Sequence, residues 1–226
     1  VTSTKPTIAD QVGAFQATLS TRLPAGVATA FAAERAAFAT LGTPAEAVGP
    51  GVAMPDGALL DVHGEPTTLA RARGGRPAVV VFYRGAWCPY CNLALRAYQD
   101  QLVPELAERG VGLIAVSPQK PDGSLSMAEA NDLTFTVLTD PGNGIAAALG
   151  VLSPDRDPAV RDAALSLGVD VAAGNADGTD ALPMPTVVVV DADGVIRWVD
   201  VHPDYTTRSE PRAILDAVAD LRGEEG

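Results

Sequence analysis

Cys88 and Cys91 are the two cysteines of the sequence, three residues apart in Ala86-Trp87-Cys88-Pro89-Tyr90-Cys91. They follow an apolar run of strand character and open a run of helical character, the setting in which a Cys-x-x-Cys pair does thiol redox chemistry. Pro89 suits the first helical position, where its missing N–H and fixed φ cost nothing. Cys88 is then the expected N-cap, its sulfur facing the free N–H groups of the first turn, which favour a thiolate. On this reading Cys88 is the more accessible sulfur, both nucleophile and leaving group in exchange.

Other uses of the pair are weaker. A structural disulfide across so short a loop removes little unfolded-state entropy. A zinc site needs about four ligands, and the two histidines, His63 and His202, lie far off in sequence. No metal or organic cofactor is expected. Arg84, four residues before Cys88, is a candidate for stabilising a thiolate. Trp87 and Tyr90 are expected to pack around the site, and Tyr98 to be core. In Leu182-Pro183-Met184-Pro185-Thr186, a proline stands at the entrance to a strand, where sheets tolerate it. A cis Met184–Pro185 bond there would lay the loop against the dithiol and offer a backbone edge to a substrate; an ordinary trans proline is the alternative.

The elements that must position these residues can be read from periodicity. Segments 7–22 and 24–41 read as two helices, with Val12, Phe15 and Leu19, then Val27, Phe31, Phe38 and Leu41, at helical spacing. They form an N-terminal extension (1–45) that either packs on the main domain or supplies a homodimer contact. Segment 42–57 is a Gly/Pro-rich linker. A short hairpin from 58 and a brief helix at 68–73 follow. Strands are expected at 77–83, 111–116 and 135–138, and helices at 89–109, 125–130, 144–149 and 158–167. Residues 168–183 read as an irregular surface insertion. Strands 187–191 and 195–201 form a hairpin turned by Asp193-Gly194, and the last helix spans 211–221. The runs at 79–82 and 187–190 are continuously apolar, as in strands covered on both faces. The architecture is therefore a three-layer α/β sandwich over 46–226, with a central mixed sheet flanked by helices.

The length of 226 residues is enough for a large core without disulfide staples, and 47% hydrophobic with 19% charged residues is a globular composition. A net charge of −12 with no Lys/Arg cluster argues against nucleic acid. No apolar run is long enough to span a membrane. The first residues, Val1-Thr2-Ser3-Thr4-Lys5-Pro6, lack the apolar core of a secretory leader, so a cytoplasmic protein is expected.

Several segments in order resemble the alkyl hydroperoxide reductase/thiol-specific antioxidant family, the peroxiredoxins of the thioredoxin-like superfamily. They are Val80-Val81-Phe82-Tyr83-Arg84-Gly85-Ala86-Trp87-Cys88-Pro89-Tyr90-Cys91, Ile114-Ala115-Val116-Ser117-Pro118, Leu133-Thr134-Phe135-Thr136-Val137-Leu138-Thr139-Asp140, and Asp204-Tyr205-Thr206-Thr207-Arg208-Ser209. The branch it is most similar to carries Cys-Pro-Tyr-Cys. The family loop is Pro-x-x-x-Thr-x-x-Cys, its last cysteine attacking the peroxide. Its cysteine falls here on Cys91, its threonine on Cys88 and its proline on Arg84, so the motif is half present. The thioredoxin pattern Trp-Cys-x-x-Cys instead makes Cys88 the nucleophile, and Pro185 resembles the thioredoxin cis-proline. Arg208 resembles the family arginine that hydrogen-bonds the thiolate and the peroxide; a solvated surface arginine is the alternative.

The resemblance implies a peroxidase acting on hydrogen peroxide or organic hydroperoxides and recharged by thioredoxin or a similar dithiol. Which cysteine attacks stays open, with the N-cap argument favouring Cys88. Two other readings compete: a thiol–disulfide oxidoreductase for which peroxide is incidental, and a non-enzymatic redox sensor or binding module.

Overall fold

The computed structural model describes residues 5–221, so the ends of the two expected domains, and most of the polar N-terminal stretch, lie outside the described residues. Two helices come first, α1 (Ile8–Ser20) and α2 (Ala25–Leu41). The first starts at a capping box in which Thr7 and Asp10 satisfy each other's backbone N–H. Then follow β1 (Ala58–Leu60), β2 (Pro66–Thr68), α3 (Leu69–Arg73), β3 (Ala78–Phe82), α4 (Pro89–Gln101), α5 (Val103–Glu108) and β4 (Gly112–Ser117). The chain continues with α6 (Pro121–Ala130), β5 (Thr136–Thr139), α7 (Gly144–Ala148), α8 (Pro158–Ser166), α9 (Val171–Gly174), β6 (Thr186–Val190), β7 (Ile196–Val201) and α10 (Pro211–Asp220).

The strands form one mixed sheet in the order β2-β1-β5-β4-β3-β6-β7. β3 runs parallel to β4 and antiparallel to β6, so it is central. All five of its residues are buried, as the unbroken apolar run predicts. Its pleat divides the core. Val79 and Val81 face one layer with Cys91, Leu95 and Tyr98, whereas Ala78, Val80 and Phe82 face the other with Leu59, Leu69 and Ile145. The dithiol therefore belongs to the layer formed by α4, α10 and α1, at the C-terminal end of β3.

Three details differ from expectation. The helix expected over 89–109 is two helices. Pro104 has no N–H for the carbonyl of Asp100 and its ring crowds that oxygen, which instead accepts from Lys5 Nζ at 2.9 Å. The expected surface insertion at 168–183 contains α9 and is tied to the core. Asn175 has no solvent exposure, and Lys120 N–H and Ala176 N–H bond Gly174 O and Pro118 O at 3.0 and 2.9 Å. Finally, the Met184–Pro185 bond is trans, no cis peptide bond occurring among the described residues. The segment is instead held as an extension of the sheet: Met184 N–H bonds Val151 O and His202 N–H bonds Pro185 O, each at 2.8 Å.

The N-terminal pair packs on the rest of the chain. α1 lies against α4 and α2 against α8. Glu34 in α2 pairs with Arg156 at 3.0 Å, both side chains almost wholly buried. Glu210, two residues beyond Arg208, receives the free N–H groups of Ile8 and Ala9 at 3.0 and 2.9 Å, a carboxylate on the positive end of α1.

Candidate active site

The loop between β3 and α4 is shaped by Gly85. Its φ of +149° lies outside what side chains tolerate, and a Cβ would come within 2.5 Å of Trp87 Nε1 and 2.8 Å of Gln119 Cδ. Gln119, just beyond β4, accepts from Ala86 N–H at 2.6 Å. From the helix side, Asn92 Nδ2 donates to Ala86 O at 2.7 Å and to Cys88 O at 2.9 Å, and is itself held by Asn131 at 2.8 Å. The loop is thus fixed at both ends before any thiol is considered.

Cys88 does occupy the N-cap, with Pro89 opening α4, but its sulfur makes no capping hydrogen bond. Both cysteines are free thiols and both are buried. Burial, and then its hydrogen bond and proximity to Cys91, push the Cys88 thiol well above the ordinary range. Burial opposes charge on Cys91 too, but there it is outweighed. The hydrogen bond from Cys88, the Arg208 charge, the backbone N–H of Arg84 and the Arg84 charge together hold Cys91 well below that range. These opposite directions favour charge on Cys91 and the proton on Cys88, whereas the helix end alone favours charge on Cys88. Three donors on one sulfur outweigh an N-cap that the Cys88 sulfur does not use.

Arg208 is not a solvated surface residue. Its Nη2 donates to Cys91 Sγ at 3.1 Å, while Nη1 bonds the carbonyls of Tyr205 and Thr207, each at 2.5 Å. The segment that carries it is tied down on both sides. Tyr98 Oη donates to Ser209 O at 2.8 Å, Ser209 Oγ to Asp200 Oδ2 at 2.7 Å, and His202 Nδ1 shares a 2.7 Å bond with Thr207 Oγ1. Tyr98 is core, as expected, but its hydroxyl also positions this loop. Arg84 is buried, its guanidinium carbon 3.9 Å from the centroid of the Tyr205 ring and 5.2 Å from that of Trp87. These are cation–π distances.

A cavity of about 350 Å³ opens above Cys88. It is bordered by Cys88, Trp87 and Arg84 but not by Cys91 or Pro185, and its far wall is α1 and α2. The structure therefore gathers Cys88, Cys91, Arg84, Arg208 and Trp87 at one place, and Pro185 directly precedes Thr186, which pairs with Phe82 at the end of β3 from which the dithiol loop leaves. Sequence reasoning missed Gln119, Asn92 and the arginines Arg35 and Arg156 on the cavity wall. Asn92 adjoins the motif and could have been flagged as a loop clasp. The others are single polar residues in distant segments with no local signal. Among the described residues no group of His, Cys, Asp and Glu could hold a metal ion, and no helix is long and apolar enough to cross a membrane.

A dithiol at the end of a central strand, covered by an arginine from the β7–α10 loop, defines a thioredoxin-like fold carrying a peroxiredoxin-type site. Residues 50–199 match the AhpC/TSA family, and the chain belongs to it. Peroxiredoxin Q of Populus jackii is 31% identical over 174 residues, which make up 77% of this chain and 68% of that one. Two Mycobacterium tuberculosis chains named among the peroxiredoxins are 33% identical over 101 residues; the match covers 45% of this chain and spans 63% of their length. The crystal structure of reduced Prx3 from Vibrio vulnificus in complex with hydrogen peroxide superposes with a TM-score of 0.60 at 20% identity. It covers 76% of this chain and 99% of that one, a likeness of fold.

Proposed function

We propose that the chain is a thiol peroxidase that reduces hydrogen peroxide or organic hydroperoxides, with Cys91 as the attacking thiolate and Cys88 as the resolving thiol. The observation that carries this reading is the Cys91 sulfur receiving Arg208 Nη2 at 3.1 Å while Cys88 and the Arg84 N–H supply further donors. A thiolate so held is ionised at neutral pH, and the same donors can stabilise charge as the O–O bond breaks.

The electrons balance without a cofactor. The Cys91 thiolate attacks the terminal oxygen of ROOH; an S–O bond forms, the O–O bond breaks, and RO⁻ leaves. Cys88 gives its proton to RO⁻, releasing the alcohol (water, for hydrogen peroxide). The Cys88 thiolate then attacks the Cys91 sulfenic acid, forming the disulfide and expelling hydroxide, which is protonated to water. Thioredoxin or a similar dithiol reduces the disulfide by exchange. Cys88 is the sulfur beside the cavity, which supports it as the one the reductant attacks, with a stabilised Cys91 thiolate leaving.

The test is stopped-flow mixing of reduced protein with hydrogen peroxide, together with sulfenic-acid trapping in Cys88→Ser and Cys91→Ser. Loss of both thiols far faster than from free cysteine, with trapped sulfenic acid in Cys88→Ser alone, is expected. Trapping in Cys91→Ser alone would reassign the roles. A rate no better than free cysteine, with fast exchange against disulfides, would leave a thiol–disulfide oxidoreductase.

A further inference from the structure

The cavity above Cys88 is walled on one side by the N-terminal helical region and on the other by the segment that matches the family. Phe15, Leu19, Leu23 and Phe31 of the N-terminal helical region form one wall, and Ala164, Leu167 and Val169 another. Into this apolar surface project three guanidiniums, from Arg35, Arg84 and Arg156. In a chain of net charge −12 that concentration of positive charge is unusual.

The three are not equivalent. Arg156 is neutralised by Glu34 at 3.0 Å. Arg84 has no carboxylate partner among the described residues and an unbonded Nε, but it lies against the rings of Tyr205 and Trp87 and its charge acts on the Cys91 sulfur. Arg35 has no carboxylate among the ion pairs of the described residues, and its Nε is buried without a hydrogen-bond partner. A buried, unpaired guanidinium nitrogen is costly unless something else satisfies it. An apolar cavity that ends on Cys88 of the dithiol, with Arg35 as the one guanidinium on its wall engaged by no carboxylate, aromatic ring or thiol among the described residues, has the complementarity of an apolar molecule with a single anionic group. Its volume of about 350 Å³ falls within the range of small-molecule sites, roughly 300–1,000 Å³.

We propose that this cavity selects apolar hydroperoxides that carry a carboxylate, Arg35 receiving the carboxylate, the hydrocarbon body lying between α1 and the α8 end, and the –OOH group directed towards the dithiol. The inference rests on the peroxidase reading for its chemistry, and the reaction is the one balanced above. Its binding half stands alone. A guanidinium–carboxylate contact inside an apolar site is a charge-assisted bond with forked geometry, which distinguishes an acid from its ester.

The experiment compares para-carboxy cumene hydroperoxide with its methyl ester, with hydrogen peroxide as reference, in the wild-type chain and in Arg35→Gln. The wild type is expected to prefer the acid in kcat/KM by about tenfold or more, the scale of one charge-assisted bond. Arg35→Gln is expected to abolish that preference and leave the hydrogen peroxide rate unchanged. Equal rates for acid and ester in the wild type, or a preference surviving in Arg35→Gln, would overturn the proposal. Binding of the unreactive analogue para-isopropylbenzoate to the reduced protein, followed by tryptophan fluorescence, separates the two claims. Saturable binding that Arg35→Gln weakens about tenfold supports the site even if no peroxidase turnover exists. Absence of binding overturns it even if hydrogen peroxide is reduced rapidly.

Discussion

The guanidinium of Arg208 reaches Cys91 with one nitrogen, Nη2 to Sγ at 3.1 Å, and the carbonyls of its own loop with the other, Nη1 to Tyr205 O and Thr207 O at 2.5 Å. One side chain thereby fixes the segment that presents it and donates to the sulfur proposed to attack the peroxide. A point-charge ammonium cannot do both, because only the planar fork offers two nitrogens in fixed relation.

Arg208→Met is therefore expected to lower kcat/KM for hydrogen peroxide by about 10²–10³, the range seen when one donor to a developing negative charge is removed. The midpoint of Cys91 alkylation should move up in pH in the same variant. Arg208→Lys should recover only part of the rate. Full activity in the lysine variant, measured by stopped flow, would show that charge alone suffices and that the fork is irrelevant.

The two thiols should separate in pH. Cys91 is held well below, and Cys88 raised well above, the ordinary thiol range. A group with a lowered pKa is already ionised at neutral pH and loses its charge only as pH falls through the lowered value. In Cys88→Ser, alkylation of Cys91 by iodoacetamide should thus be flat from neutral to alkaline pH and fall on the acid side. In Cys91→Ser, alkylation of Cys88 should rise only above the ordinary thiol range of about 8.5. Midpoints in the opposite order would move the attacking role to Cys88.

Much of this arrangement was legible in the sequence because it is local. Cys-Pro-Tyr-Cys after an apolar run reports a strand, a tight loop and a helix N-terminus within a dozen or so residues, and all three are found. The strands were legible because Val79–Val81 and Val187–Val190 are buried on both faces, leaving no polar interruption. What was not legible depends on partners distant in sequence. Beside the hydrogen bond from Cys88, Cys91 is held low by Arg208, a contact across 117 positions, which helix-end reasoning confined to α4 does not see. The backbone bonds that tie Met184 to Val151 and Pro185 to His202 likewise depend on partners that no local pattern announces. Arg35, in α2, and Arg156, just before α8, carry no local sequence signal, and only the cavity gives them a common wall.

Gly85 is expected to admit no side chain. At φ +149° a Cβ meets Trp87 Nε1 at 2.5 Å and Gln119 Cδ at 2.8 Å, so Gly85→Ala strains the backbone and displaces the residue that holds Ala86 N–H. A strained position of this kind costs of order 1–3 kcal/mol. Urea denaturation should show a loss in that range, and the peroxide rate should fall more than stability does, because the displaced loop carries the Arg84 N–H donor. A variant with unchanged stability and rate would mean that Trp87 and Gln119 can move aside freely.

The last prediction concerns the helices that roof the site. Glu34 and Arg156 form an ion pair with side chains only 2% and 5% exposed, and it joins α2 to the segment before α8. Removing one partner leaves the other charge buried, which is worth about 3–5 kcal/mol, whereas replacing both by apolar groups of similar volume is often neutral or stabilising. Glu34→Gln should therefore destabilise the chain by about that amount, since the Arg156 guanidinium keeps an oxygen to bond but loses its counter-charge. The double variant Glu34→Leu/Arg156→Met should recover most of the loss in urea denaturation. If the single variant costs less than about 1 kcal/mol, the typical ceiling for an exposed pair, then Arg156 reaches water and α2 is a loosely held roof. If the double variant is as unstable as the single, packing rather than charge holds α2 in place.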